Sequence, residues 1–250
     1  MKTKLTFMVI LTALFASCSQ KETTLTILET TDTHGRYDEF ANDALIIKQM
    51  KAELGDNLIL LDNGDNMQGT VFQYCSNHDA EHPNLVSEVL NFFPYDAVCV
   101  GNHDIEAGKK VFDRVYSELK MPVLAANVID ESTGEPYFTP YIILDRDGYK
   151  IAVLGLLTPY VITWVPDRLR PGLRFEQLEA SAEKWVKIIQ EKEHPDLMVG
   201  LFHSGFEPQM QNLPESHPLG RENAINIVVY LKDMTIPYCD ISLIQSGGDT

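Results

Sequence analysis

The sequence is poor in cysteine. It has four in 250 residues, and no two are spaced as CxxC. Setting Cys18 aside, Cys75, Cys99 and Cys239 form an odd set, which argues against a disulfide-scaffold fold and against a thiolate metal site. Cys99, inside the apolar run "AVCV", reads as a small buried hydrophobe. Basic residues are also scarce, 20 Lys and Arg against 36 Asp and Glu, for a net charge of −16. Binding a polyanion needs clustered Lys and Arg, so this balance argues against a nucleic-acid polymer as partner. A small phosphorylated molecule stays open, because a bound cation reverses the local field. No hydrophobic run reaches the ~20 residues of a membrane span. No repeat, low-complexity tract or evident protein-partner motif is present.

The first 18 residues, "MKTKLTFMVILTALFASC", read as an address and not as part of a fold. Lys2 and Lys4 precede a short apolar stretch that ends in the small residues Ala16 and Ser17, the pattern of a secretory signal peptide. The ending Phe15-Ala16-Ser17-Cys18 also resembles a bacterial lipoprotein signal, with Phe15 where leucine is usual. The expectation is export to the periplasm or the bacterial envelope, with Cys18 as lipidated N-terminus and the lipid as the one link to a membrane.

The rest of the chain is long enough for one large α/β domain. Apolar runs that read as strands recur at Leu25–Leu28, Leu58–Leu61, Ala97–Val100, Val123–Ala125, Ile151–Leu156 and Leu197–Phe202. Helix-like stretches lie between several of them, the clearest spaced through Leu178, Trp185 and Ile189. This alternation predicts an α/β sandwich. Asp147-Gly148 between two apolar runs predicts a hairpin, so part of the sheet is expected to be antiparallel.

Four of the strands end in polar residues: Asp32-Thr33-His34, Gly64-Asp65-Asn66, Gly101-Asn102-His103-Asp104 and His203-Ser204. The carboxyl edge of an open α/β sheet is where ligands bind. Asp32 and His34, two apart on an extended backbone, are expected to point to one side. Each motif alone has a plain reading. Asp-x-His can be a cap, Gly-Asn a turn, and His203 a satisfied buried histidine. Their occurrence in order, each directly after a strand, predicts a cluster of carboxylate, imidazole and amide oxygen. Such donors suit Zn, Mn, Fe or similar divalent ions. Two ions sharing a carboxylate such as Asp65 would clamp a phosphoryl group for hydrolysis.

"TDTHG", "NGDNMQG", "GNHD" and "LFHSG" resemble the successive motifs of the calcineurin-like metallophosphoesterases, in their secreted nucleotidase branch. "LAANVID" and "GLLTPYVITWVPD" are most similar to the bacterial 2′,3′-cyclic-nucleotide 2′-phosphodiesterase/3′-nucleotidases. The resemblance implies a four-layer αββα sandwich over residues 24–250 with two divalent metals between the sheets. It implies Asp32, His34 and Asp65 on one metal, and Asp65, Asn102 and His203 on the other. It makes His103 and Asp104 catalytic, His103 acting on the substrate and Asp104 orienting its imidazole. The implied activity is hydrolysis of a small nucleotide's phosphate ester. The alternatives are a 5′-nucleotidase or UDP-sugar hydrolase and, in another class, a non-catalytic surface lipoprotein that binds a ligand. The family pattern also requires Gly-His-x-His after the next strand, and its nucleotidases carry a C-terminal domain that grips the base between aromatic rings. Here the sequence reads "CDISLIQSGGDT" and has no histidine after His217. The expectation is therefore a sandwich incomplete at its C-terminus, from a truncated or frame-shifted chain of impaired activity.

Overall fold

A computed structural model describes residues 24–37 and 40–204. The signal segment 1–18 with Cys18, and the segment 205–250 with "CDISLIQSGGDT", lie outside the described residues.

The elements run β1 (Thr26–Thr30), α1 (Phe40–Leu54), β2 (Leu58–Asp62), α2 (Val71–His78), α3 (Leu85–Phe92), β3 (Ala97–Cys99), α4 (Asn102–Glu106), α5 (Lys109–Ser117) and β4 (Val123–Leu124). They continue with β5 (Val128–Asp130), β6 (Tyr141–Arg146), β7 (Tyr149–Leu157), α6 (Val161–Trp164), β8 (Leu173–Phe175), α7 (Leu178–Glu193) and β9 (Leu197–His203). All six expected strands and the hairpin are present. The strands β1-β2-β3-β4 form one parallel sheet, β6-β7-β9 form a second sheet of mixed direction, and β5-β8 form a small antiparallel ribbon.

Side chains alternate across a strand, so each sheet has two apolar faces to cover. Leu60 and Val98 turn one way and join Ile47 of α1, Leu90 of α3 and Phe112 of α5. Their neighbours Ile59, Leu61, Ala97 and Cys99 turn the other way and meet Ile151, Val153, Val199 and Leu201 of the second sheet. On that sheet's far side Ala152, Leu154, Leu156 and Met198 pack against Leu178, Ala182, Val186 and Ile189 of α7. The result is helix, sheet, sheet, helix. Each fully buried aliphatic side chain contributes about 1.5–3 kcal/mol relative to exposure, and the layers share three such clusters.

The β6–β7 hairpin closes at Asp147-Gly148, whose φ of 53° and 85° are both left-handed. That is the geometry a two-residue turn needs to match strand twist. β7 pairs antiparallel with β6 and parallel with β9, with Leu157 opposite His203. The carboxyl ends of β1, β2, β3, β7 and β9 therefore share one edge of the sandwich.

Candidate metal centre

Three loops leave the first sheet at that edge, and backbone bonds sew the first two together. Asp32 N–H donates to the Gly64 carbonyl at 3.0 Å and His34 N–H to the Asp65 carbonyl at 3.0 Å. Asp32, His34 and Asp65 hold φ of 51°, 49° and 60°, a region that non-glycine residues seldom occupy. The extended backbone expected for Asp32-Thr33-His34 is thus corrected. The loop turns through left-handed residues to bond the β2 loop, and the two side chains still converge, with His34 Nε2 3.7 Å from Asp32 Oδ1. Gly64, at φ 88°, has no room for a side chain: a Cβ would lie 2.4 Å from Gly101 N.

Asp65 is at the centre. Its Oδ1 accepts from His103 N–H at 2.8 Å, and its Oδ2 lies 3.2 Å from His203 Nε2. His203 Nδ1 lies 2.6 Å from the Asn63 carbonyl, which a Nδ1–H donates to, and its Nε2 is 3.0 Å from Asn102 Oδ1. Nε2 thus faces two oxygens, a grouping that needs a positive centre. Burial opposes the imidazolium, but the Asp65 carboxylate outweighs it and raises the His203 pKa to about 10. His34 repeats the arrangement, with Nδ1 3.2 Å from the Gln68 carbonyl. Fixing one ring nitrogen on a carbonyl and turning the other inward is how proteins orient metal-binding histidines.

Two groups have ligand atoms within 4.8 Å of one another: His34, Asp65 and His103, and Asp32, Asp65 and His203. Asp65 belongs to both. The grouping divides the remaining residues differently from the implied sets, since Asp32 falls with His203 and His103 with His34. The His34 and His103 rings meet edge to face, centroids 5.2 Å apart. Asp32 Oδ1 is buried with no hydrogen-bond partner, a costly state for a carboxylate oxygen unless a cation satisfies it. The all-oxygen-and-nitrogen donor set and this orphaned oxygen fit divalent metal ions.

One assigned role changes. Asp104 does not orient His103. Its buried carboxylate accepts from Gly101 N at 2.8 Å, Asp65 N at 3.0 Å, Asn66 N at 2.8 Å, Met67 N at 3.0 Å and Tyr116 O–H at 3.0 Å. It welds the β2 and β3 loops together and has no lone pair to spare. The partner of His103 Nδ1 is Glu106 Oε2, at 2.7 Å. Glu106 was missed in the sequence, although its i+3 spacing from His103 was a usable signal once α4 is known to be a helix. A second unread layer lies beneath. Buried Asp62 accepts from Thr30 Oγ1 and Asn66 Nδ2, each at 2.7 Å, and from Gly64 N at 3.1 Å. Burial raises its pKa to about 7.

An α/β sandwich whose parallel strands deliver Asp, His and Asn around a shared carboxylate defines a metallophosphoesterase. Residues 25–232 match the calcineurin-like phosphoesterase family model, and the chain belongs to that family. It is 29% identical, over 86% of its length, to a 2′,3′-cyclic-nucleotide 2′-phosphodiesterase/3′-nucleotidase of Haemophilus influenzae, and 33% identical, over 72%, to a 5′-nucleotidase of Vibrio cholerae. It spans 35% and 34% of those relatives, about a third of their length. Among solved structures, the calcineurin-like phosphoesterase YfkN of Bacillus subtilis superposes with a TM-score of 0.67 at 26% identity, over 80% of this chain and 66% of that one. The Haemophilus influenzae NAD nucleotidase shares the fold, with a TM-score of 0.62 at 23% identity, over 75% of this chain and 35% of that one.

Proposed function

We propose that the protein hydrolyses phosphate esters of nucleotides through two divalent metals held by Asp32, His34, Asp65, Asn102 and His203. The observation that carries this reading is Asp65, which belongs to both ligand groups. The metals, when bound, supply charge neutralisation at the phosphoryl group and a nucleophile at neutral pH. The chain's own residues do the rest. Asp104 holds Asp65 in its left-handed conformation, so both carboxylate oxygens stay presented. Glu106 fixes the His103 ring through Nδ1, so His103 turns Nε2 to the substrate as the proton donor to the leaving oxygen.

The favoured substrates are 2′,3′-cyclic nucleotides and 3′-nucleotides, in keeping with the Haemophilus relative. A 5′-nucleotidase is the second reading, favoured by the 33% identity to the Vibrio enzyme. We also propose export, with residues 1–18 as signal and Cys18 as the lipid anchor. Among the described residues no helix is long and apolar enough to cross a membrane.

A panel of 2′,3′-cyclic AMP, 3′-AMP and 5′-AMP, assayed with Mn²⁺ and again with EDTA, tests the reading. Hydrolysis of the first two that EDTA abolishes is expected. Preference for 5′-AMP would move the assignment to the second reading, and nucleotide binding with no metal-dependent turnover would overturn it.

A further inference from the structure

Asp32 and His34 flank Thr33, and Asp65 is followed directly by Asn66. Neither Thr33 nor Asn66 is among the proposed ligands, yet both are turned inward, 9% and 3% exposed. They meet there, with Thr33 Oγ1 donating to Asn66 Oδ1. The other end of the Asn66 amide, Nδ2, donates to Asp62 Oδ1 at 2.7 Å. The row continues past Asp62, since Thr30 Oγ1 donates to Asp62 Oδ2 at 2.7 Å and lies 2.6 Å from the Tyr95 hydroxyl. Thr30 has one proton to give and gives it to Asp62, so Tyr95 O–H donates to Thr30.

The direction of each bond in this row is set. Asp62 Oδ1 also accepts from Gly64 N–H at 3.1 Å, so it faces Asn66 as an acceptor and the amide nitrogen must meet it. The amide oxygen is thereby turned to Thr33, which must donate. The row is a third tie between the first two loops, made by side chains, beside the two backbone bonds from Asp32 and His34. The backbone of Asn66 reaches further, its N–H donating to Asp104 Oδ1 of α4 at 2.8 Å. At Asn66 the Asp32–His34 loop, the end of β2 and α4 are joined. A buried polar network that is satisfied throughout rigidifies what it connects.

We propose that Thr33 and Asn66 are positioning residues that set the spacing of Asp32 and His34 from Asp65, and with it the affinity of both metal positions. This rests on the two-metal reading above and adds to it residues that touch no metal. Removing outer partners of metal ligands costs about 10–100-fold in affinity.

Thr33→Val keeps the shape and removes the hydroxyl, Thr33→Ser keeps the hydroxyl, and Asn66→Asp sets a carboxylate oxygen against Asp62. Two measurements on the full chain separate positioning from loss of fold. In metal-free protein, hydrogen exchange should quicken at the Asp32 and His34 amides of Thr33→Val, while the β1 and β2 amides keep their protection. Titration with Mn²⁺ against a chelating dye should show about a ten-fold loss of affinity in Thr33→Val, a larger loss in Asn66→Asp, and parental affinity in Thr33→Ser. Parental affinity in Thr33→Val, or a loss that Thr33→Ser does not repair, would overturn the inference and leave the two-metal reading standing. So would a loss accompanied by faster exchange throughout both sheets, which marks a weakened fold. A parent chain that binds no Mn²⁺ while the exchange contrast persists would refute the two-metal reading itself, and the positioning role with it.

Discussion

Asp147 at one edge of the sandwich and Asp65 at the other adopt nearly the same left-handed backbone, with φ of 53° and 60°. Asp147 sits exposed in the β6–β7 turn. Asp65 is 2% exposed, and every bond that holds it comes from another loop: Asp104 on its amide, His103 N–H and His203 on its oxygens. A left-handed non-glycine residue costs roughly 1–3 kcal/mol. In the turn, that cost serves chain reversal and nothing more. At the carboxyl edge it recurs at Asp32, His34 and Asp65, and a shared network maintains it. Of the five such residues among the described ones, these three are the ones tied to one another by bonds between loops.

Asp65→Asn should break the contrast most severely. Removing the shared charge should empty both metal positions and cut hydrolysis by more than about 100-fold, beyond the loss typical of an outer partner; plasma emission spectrometry that still finds two tightly held metals would exclude sharing. His103→Ala should keep the metals and lose about 10²–10⁴ in rate, and Glu106→Gln should reproduce part of that loss without moving metal content. Near-normal turnover in His103→Ala would remove the imidazole from the reaction.

The two edges can also be compared with one substitution. Gly64→Ala forces a Cβ to within 2.4 Å of Gly101 N and should cost more than about 3 kcal/mol. Gly148→Ala meets open space and should cost about 1 kcal/mol, for its positive φ alone. Equal losses in urea unfolding would mean that the loops at the metal edge yield more easily than their bonding implies.

A pH-dependent effect concerns Glu29 on β1. Burial, and then the charge of Asp62, raise its pKa from 4.5 to about 8. The folded chain therefore binds a proton that the unfolded chain has released, so stability should fall as pH rises from about 4.5 to about 8 and level off above. In metal-free protein Glu29→Gln should flatten that slope and melt higher than the parent at pH 9. An unchanged slope would show that Glu29 is ionised throughout.

The strands were legible because they are buried on both faces: "LILLD" and "AVCV" are apolar without interruption. The hairpin was legible because Asp-Gly has a strong local preference. Helix α2 was not, since "VFQYCSNH" leaves Val71, Phe72 and Tyr74 exposed and so shows little helical periodicity. The candidate site was legible as a set of residue types but not as a set of bonds. Asp104 and Glu106 are both acidic and both near His103 in sequence. Only the first turn of α4 directs one to the backbone of a neighbouring loop and the other to the imidazole. Asn63 holds His203 through its carbonyl oxygen, a contact in which the side-chain identity takes no part.

Cys99 lies between the two sheets with no exposure, its thiol donating toward the carbonyls of Leu156 and Leu201, and burial pushes its pKa well above the ordinary thiol value. Cys75 is exposed. The pair is a built-in clock. An alkylating reagent should modify Cys75 at once and Cys99 only when the sheets part, so the rate of the slow adduct, followed by mass spectrometry, measures how often the sandwich opens. If metal binding draws the loops of the two sheets together, that rate should slow when metal is added.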